Sequence, residues 1–423
     1  MTSYKDFVAL SPATLAQRLG GLAALKNRIG DDQSTWNVRE VGDGNLNLVF
    51  IVQGSKGAAV VKQALPYVRL VGDSWPLPLK RSFFEYNALS RQSQRDPGMT
   101  PEIFHFDSEQ AIIVMEFLSP HIILRRALID GRELPKIAKD LGLFLARTLF
   151  RGSDLCLDTK LRKADLALFA DNVALCDITE SLVFSDPYYD AKLNRHTSPQ
   201  LDEIAAQLRA DRDLKVAAQR LKHIFAATPE TLLHGDLHTG SVMVTAAETR
   251  VIDPEFAFYG PMAFDVGMLL ANFWMSYFSQ SGHEAGGSRD SMRAYLLKII
   301  VEIWETFRAE FSSLWHSERN GILYQRALFE DQGDMLASEQ ALDLVLQGIW
   351  MDMLGFAGVE MHRRILGLAH NADFETIENA DTRAHCETKA LKLGRHLAVN
   401  RHHIHSILEV NKLATRLEEE IVT

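Results

Sequence analysis

Two apolar, strand-like runs that each end in carboxylates constrain this chain more than any other feature. Thr231-Leu232-Leu233 leads into His234-Gly235-Asp236-Leu237-His238-Thr239-Gly240-Ser241, and Val242-Met243-Val244 follows. Arg250-Val251-Ile252 then leads into Asp253-Pro254-Glu255, seventeen residues after Asp236. Strands hold their ends still, so three carboxylates are expected on neighbouring strand ends and turns. Phosphoryl transfer needs such a set: one carboxylate to orient and deprotonate a hydroxyl, others to hold Mg²⁺ on a nucleotide. The pattern reads as a kinase active site.

Upstream, residues 11–30 open with Ser11-Pro12 and run through Leu15, Leu19, Leu22 and Leu25 as a helix. From Trp36 to Val41 the period drops to two, Gly42-Asp43-Gly44-Asn45 breaks it, and Leu46, Leu48, Phe50 and Val52 resume it. A second turn, Gly54 to Gly57, precedes Ala58 to Gln63, so three antiparallel strands are expected with Lys62 near the end of the third. Residues 78–95 read as a helix carrying Arg81, Phe84, Glu85 and Leu89, and residues 102–106 and 111–115 as two further strands. The latter runs into Glu116-Phe117-Leu118-Ser119-Pro120, the expected hinge. Beyond it, residues 137–149, 200–226, 288–312, 338–369 and 380–418 have mainly helical spacing. Gly72 to Pro76 and Ser279 to Ser288 read as loops, the second flexible. The expected fold class is α+β with two lobes: residues 1–118, an antiparallel sheet plus helix, and residues 119–423, mainly helical.

A chain of 423 residues can build a core in each lobe. Its net charge of −10 argues against a nucleic-acid partner, because phosphate backbones are held by clustered Lys and Arg. Cys156, Cys176 and Cys386 are too few and too scattered for a disulfide framework or a zinc site. Met1 to Phe7 lacks a charged start followed by an apolar stretch, so no signal peptide is visible. Pro261 to Phe278, the most apolar segment, is interrupted by Asp265 and Asn272 and is too short and polar to span a bilayer. A cytoplasmic protein with no membrane partner is expected.

In the first glycine turn, Gly44 would let the backbone approach phosphate and Asn45 would donate hydrogen bonds. An ordinary hairpin gives the same dipeptides, and Lys62, seventeen residues after Asn45, favours the nucleotide reading. Lys62 follows Val60 and Val61, so its ammonium needs partners: nucleotide phosphates and a helix carboxylate, for which Glu85 is the choice. Asp236 is the catalytic candidate, aligning a hydroxyl and accepting its proton. Asp253 and Glu255 face one ion only if Pro254 turns the chain between them, and their hard oxygens suit Mg²⁺. His234 and His238 read as structural hydrogen-bonding groups rather than a metal pair, and Asp265 as a support for the backbone amides of the catalytic loop. Only ten residues separate Glu255 from Asp265, which leaves no room for an activation loop and peptide platform, so the acceptor is a small molecule. Arg363-Arg364 either neutralises the transferring phosphate and grips substrate or forms a solvated helix face, and Arg125-Arg126 shows that such pairs also occur elsewhere in the chain. Trp75 covers a substrate or nucleotide pocket, or packs the lobes.

These motifs resemble the aminoglycoside/choline kinase-like branch of the protein kinase fold, and within it the 5-methylthioribose kinases. The likeness rests on Gly-Asp-Gly-Asn-Leu-Asn (42–47), Gly-Asp-Ser-Trp-Pro (72–76), the 234–241 run, Asp-Pro-Glu-Phe (253–256) and the arginine pair. It implies a two-lobed protein kinase-like fold and ATP-dependent phosphorylation of the 1-hydroxyl of 5-methylthioribose, in methionine salvage, by a homodimer. It further implies that Gly44, Asn45 and Lys62 contact ATP and that Glu116, Phe117 and Leu118 form the adenine hinge. Asp236 becomes the catalytic, substrate-binding carboxylate. Asp253, Pro254 and Glu255 hold nucleotide and metal, and Arg363 and Arg364 grip substrate. Relatives in the wider branch carry Pro-Gly-Asn where Thr239-Gly240-Ser241 stands here, and Glu255 is placed to replace the lost amide ligand. The alternatives are an aminoglycoside, choline or homoserine kinase-like enzyme of the same fold, or a nucleotide-binding regulator without transferase activity. Intact Lys62, Asp236, Asp253 and Glu255 speak against the last.

Overall fold

The alternation between Trp36 and Gln63 is realised as three antiparallel strands in a computed structural model that describes residues 7–42, 46–68 and 72–420. Two helices precede them, α1 (Pro12–Leu19) and α2 (Ala23–Ile29). Helix α1 begins at a capping box in which Ser11 and Thr14 satisfy each other's backbone amides. The strands are β1 (Asn37–Glu40), β2 (Asn47–Gln53) and β3 (Ala58–Ala64). A short hairpin, β4 (Tyr67–Val68) and β5 (Gly72–Pro76), comes next, followed by helix α3 (Arg81–Arg95) and strands β6 (Ile103–Asp107) and β7 (Ile112–Glu116). The five-stranded sheet has the order β1-β2-β3-β7-β6 and is antiparallel throughout. Phe50, Val52, Ala59, Val61, Ile112 and Val114 bury one face of it with Leu15, Leu25 and Ile29. Because strand side chains alternate, Lys62 lies on the opposite face from Val61, paired in register with Val49 and Ile113.

Gly72 to Pro76 is therefore a strand and not the expected loop. Its Gly-Asp-Ser start has turn composition, and cross-strand pairing with a two-residue partner overrides that preference. The unit containing this sheet runs to His121 and also takes in Asn172–Leu175 and Arg250–Ala257, segments that a single cut after residue 118 leaves out. Hydrogen bonds explain their inclusion. Asn172 Nδ2 donates to the Glu255 and Ala257 carbonyls at 2.9 and 3.0 Å, and Val251 N donates to Met99 O at 2.7 Å.

From Ile122 onward helices dominate. The elements are β8 (Ile122–Ile123), α4 (Leu124–Ile129), α5 (Ile137–Arg151), α6 (Thr159–Phe169), α7 (Val173–Leu182), α8 (Asp202–Ala210) and α9 (Arg212–Ala227). Short strands β9 (Thr231–Leu232), β10 (Val242–Val244), β11 (Thr249–Val251) and β12 (Tyr259–Gly260) frame the motif loops. Helices α10 (Ala263–Ser279), α11 (Asp290–Glu318), α12 (Met335–Leu366), α13 (Ala372–Glu375), α14 (Ala380–Asn400) and α15 (Ile407–Glu419) complete the second unit. Strand β9 pairs with β12 and β8 with β10, each antiparallel.

Every residue of α10 is buried, the mark of a helix that is core on all sides. Its neighbours approach closely at glycines. A Cβ on Gly267 of α10 would lie 2.5 Å from Met353 O of α12, and one on Gly358 of α12 would lie 2.4 Å from Gly394 O of α14. Helix α12 is long and apolar enough to cross a membrane, unlike the 261–278 segment singled out from sequence, but 61% of its most apolar window is buried in the protein. Those contacts with α10 and α14 account for its composition. Ser279 to Ser288 is also more ordered than expected: Gln280–Gly286 forms 3₁₀ turns, with buried Gln280 Nε2 donating to Ser276 O at 3.0 Å.

Candidate active site

In the first unit, three carboxylates gather around one ammonium. Oxygen atoms of Glu85, Asp253 and Glu255 all lie within 4.8 Å of one another. Lys62 Nζ donates to Glu85 Oε1 at 2.8 Å and also to Asp253 Oδ1. Asp253 has φ +69°, a left-handed conformation that Asp tolerates better than most residues, and with Pro254 it turns the chain so that both acids face the cluster. Glu255 accepts from Asn47 Nδ2 at 3.1 and 3.2 Å, and Arg81 Nε lies 3.3 Å away. Arg81 is fully buried and also ties down the Leu65 and Leu46 carbonyls, at 2.5 and 2.6 Å. Burial opposes a charged Lys62, but Asp253, Glu85 and Glu255 outweigh it and hold the ammonium protonated. Burial pushes Glu85 up to about 8, with Lys62 pulling it down and Asp253 and Glu255 pushing it further up. The Asp253 side chain keeps 47% exposure while Glu85 keeps 3%, so Asp253 is the member that solvent and ligands reach.

In the second unit, Asp236 sits in a loop whose turn at Gly235 has φ +86°. Asp265, in the first turn of α10, fastens that loop: its carboxylate accepts from His234 N at 2.6 Å and Gly235 N at 3.0 Å. Arg363 Nη1 and Arg364 Nη2 both donate to Asp236 Oδ1, each at 3.0 Å. Oδ2 faces His238 Nε2 at 3.4 Å. Gly240 N donates to His238 Nδ1 at 2.9 Å, which assigns the neutral ring's proton to Nε2, on the Asp236 side. Burial raises the Asp236 carboxyl, but Arg363, His238 and Arg364 overcome that and hold it well below the usual carboxylate range. The group is thus ionised, with one oxygen saturated by cations and the other left for a further donor.

His238 and His362 are both pushed down to about 4 by burial. His362, on α12, is fixed as a neutral ring between Tyr188 OH at 3.2 Å and Leu391 O at 3.1 Å. Its ordinary value is 6.5, so between pH 6.5 and 4 the unfolded chain takes up a proton that the folded chain refuses. That stability is complete above 6.5 and is lost as pH falls. The destabilisation caused by His362→Gln is expected to be largest near neutrality and to narrow by about 1.4 kcal/mol per pH unit between 6 and 4. Melting curves of both proteins across that range check it, and a constant gap counts against it. The difference between curves is the informative quantity, because burial pushes Glu387 up to about 7 and that group works in the opposite direction.

With this geometry, the comparisons with known proteins are decisive. Residues 37–295 match the phosphotransferase enzyme family. A methylthioribose kinase of Escherichia coli is 45% identical over 86% of this chain and 87% of its own length. Methylthioribose kinase 1 of Oryza sativa is 43% identical over 96% and 95%, and a Yersinia pseudotuberculosis methylthioribose kinase is 39% identical over the same shares. The chain belongs to the methylthioribose kinases of the phosphotransferase enzyme family. Among solved structures, a glucosamine kinase superposes with a TM-score of 0.43 at 16% identity, covering 83% of this chain and 85% of that one. That likeness is too loose to carry an argument about the site.

Of the residues singled out for this family, Gly44 and Asn45 lie outside the described residues. Glu116 ends β7, its amide donating to Glu102 O at 2.8 Å and its carboxylate accepting from Glu102 N at 3.1 Å; Phe117 is half-buried and Leu118 buried. Trp75 is half-buried on β5. Four polar residues that tie the site together carry no role in the sequence reading: buried Asn47, Arg81 and Glu360, and half-buried Arg125. Of the Arg125-Arg126 doublet only Arg126 is a surface residue, with its side chain 67% exposed. Arg125 donates to Thr239 Oγ1 at 3.1 Å and Asn272 Oδ1 at 2.8 Å, and its Nε lies 2.9 Å from buried Asp373. Spacing held a signal for two of them. Arg81 stands four residues before Glu85, and Glu360 three and four before the arginine pair, so each shares a helix face with its neighbour.

Proposed function

We propose that this chain transfers the γ-phosphoryl group of ATP to the 1-hydroxyl of 5-methylthioribose, giving 5-methylthioribose 1-phosphate and ADP, in methionine salvage. The observation that carries this reading is the identity to methylthioribose kinases over nearly the whole chain. Asp236 accepts the hydrogen bond of the acceptor hydroxyl. Because Arg363 and Arg364 occupy Oδ1, Oδ2 is the oxygen that takes the proton. So acidic a carboxylate is a weak base, and the proton moves late, once bonding to phosphorus has made the hydroxyl acidic. Arg363 and Arg364 hold substrate oxygens.

Lys62 binds nucleotide phosphates, with Glu85 holding its ammonium, and Glu116, Phe117 and Leu118 meet the adenine. Asp253, Pro254 and Glu255 hold the nucleotide and its Mg²⁺. The donor set fits that ion, since Glu85, Asp253 and Glu255 present hard carboxylate oxygens close together. When bound, Mg²⁺ neutralises charge on the β- and γ-phosphate oxygens. A cytoplasmic homodimer without nucleic-acid or membrane partners completes the proposal.

Coupled ADP release with methylthioribose, choline and an aminoglycoside tests the substrate. Turnover is expected with methylthioribose and almost none with the two cations, because buried guanidiniums surround Asp236. Turnover with only an aminoglycoside or choline overturns the assignment.

A further inference from the structure

Helix α12 brings a third charged group to the arginine pair, and neither the family likeness nor the reaction above assigns it a part. Glu360 is completely buried and lies one helical turn before Arg363 and Arg364. Its Oε1 accepts from Arg364 Nε at 2.6 Å and from Asn272 Nδ2 at 3.3 Å, and its Oε2 from Arg363 Nη1 at 3.2 Å. Arg364 is thereby pinned at both ends of its guanidinium, Nε on Glu360 and Nη2 on Asp236. Asn272 passes the contact on, since its Oδ1 accepts from Arg125 Nη2 and Arg125 Nε holds Thr239 of the loop that carries Asp236. With His238 neutral, three guanidiniums (Arg125, Arg363, Arg364) face three carboxylates (Asp236, Glu360, Asp373). Losing Glu360 leaves one buried cation unmatched, and that imbalance falls on Asp236.

We propose that Glu360 is a positioning residue for the phosphoryl acceptor: its shared carboxylate aims both guanidiniums at Oδ1 of Asp236 and so keeps Oδ2 for the acceptor hydroxyl. This rests on the reading of Asp236 as the group that receives that hydroxyl. Glu360→Gln preserves shape but removes the charge and turns one acceptor into a donor facing Arg363 Nη1. Misplacing a reacting group by about 1 Å costs on the order of 100-fold, so kcat is expected to fall about 100-fold while the KM for ATP and nucleotide binding stay within about twofold.

A residue that acts through the arginines also gives a non-additive cycle, with Glu360→Gln costing less in the Arg364→Gln background, where only Arg363 remains to be aimed, than in wild type. Unchanged kcat in Glu360→Gln, or losses that simply multiply in the double variant, overturn the inference. If Glu360→Gln fails to fold, Glu360→Asp carries the test. It keeps the charge with a shorter reach, kcat should fall about tenfold at constant ATP KM, and full turnover again overturns the idea. Asp236→Asn separates the two claims: full activity there removes the reading of Asp236 itself, whereas an inactive Asp236→Asn beside a fully active Glu360→Gln removes only the role of Glu360.

Discussion

Asp236→Asn is expected to lower kcat about 1000-fold, within the range that a positioned general base supplies, and to leave ATP affinity within about twofold. Asparagine matches the size of aspartate, and its carbonyl oxygen can still accept from Arg363 and Arg364. The lost elements are the charge and the oxygen that takes the proton. Its amide would also point a donor at His238 Nε2, which already carries a proton. The two guanidiniums keep Glu360 as counter-charge, so the fold should survive, with a stability loss below the roughly 3–5 kcal/mol of a buried pair broken outright. Steady-state kinetics in both substrates, with calorimetric nucleotide binding as the folding control, measure this. Turnover within tenfold of wild type would remove Asp236 from the chemistry.

The parts of the molecule that sequence revealed share one property: their signal is local. Alternating residues between 36 and 63 made β1 to β3 readable, and helical spacing revealed α5, α9 and α11. Asp265 could be assigned to the amides of the 234–235 turn because a carboxylate in the first turn of an apolar helix needs donors nearby. Non-local contacts stayed hidden. Glu255 meets Asn47 and Arg81 across long stretches of chain, and Arg125 reaches Asn272 and Thr239 through tertiary packing alone. A doublet such as Arg125-Arg126 looks the same whether one member is tied into the fold or both are solvated, and Arg363-Arg364, buried together, differs only in the Glu360 that precedes it. Strand β5 was missed for a similar reason, since its partner, not its own composition, makes it a strand.

Removing the other central cation should have a different pattern. Lys62→Met takes the ammonium from a cluster in which Glu85 is 3% exposed and three carboxylates lie within 4.8 Å, leaving Arg81 as the nearby counter-charge. Breaking a buried pair from one side typically costs about 3–5 kcal/mol. That cost depends on pH, and its direction follows from Glu85. Burial already pushes this carboxyl up to about 8 with Lys62 in place, against an ordinary 4.5, and losing the lysine pushes it further up. The folded chain then keeps a proton that the unfolded chain releases above 4.5, so stability falls as pH rises from there through the folded value. Wild type shares this loss up to about pH 8, where its own Glu85 ionises, so the deficit of Lys62→Met relative to wild type is expected to be constant below that value and to widen above it, in melting curves taken at about pH 6.5 and 9.5. An equal deficit at the two pH values would sink the electrostatic account. The same variant should raise the KM for ATP by about 10- to 100-fold, since a hydrogen bond to a charged group is worth roughly 1.5–3 kcal/mol. Lys62→Met/Glu85→Gln separates the two effects. Neutralising both partners removes the stranded charge, so most of the stability should return, while the phosphates still lack their cation and ATP affinity stays low. Recovery of both together would mean that Lys62 serves only the fold.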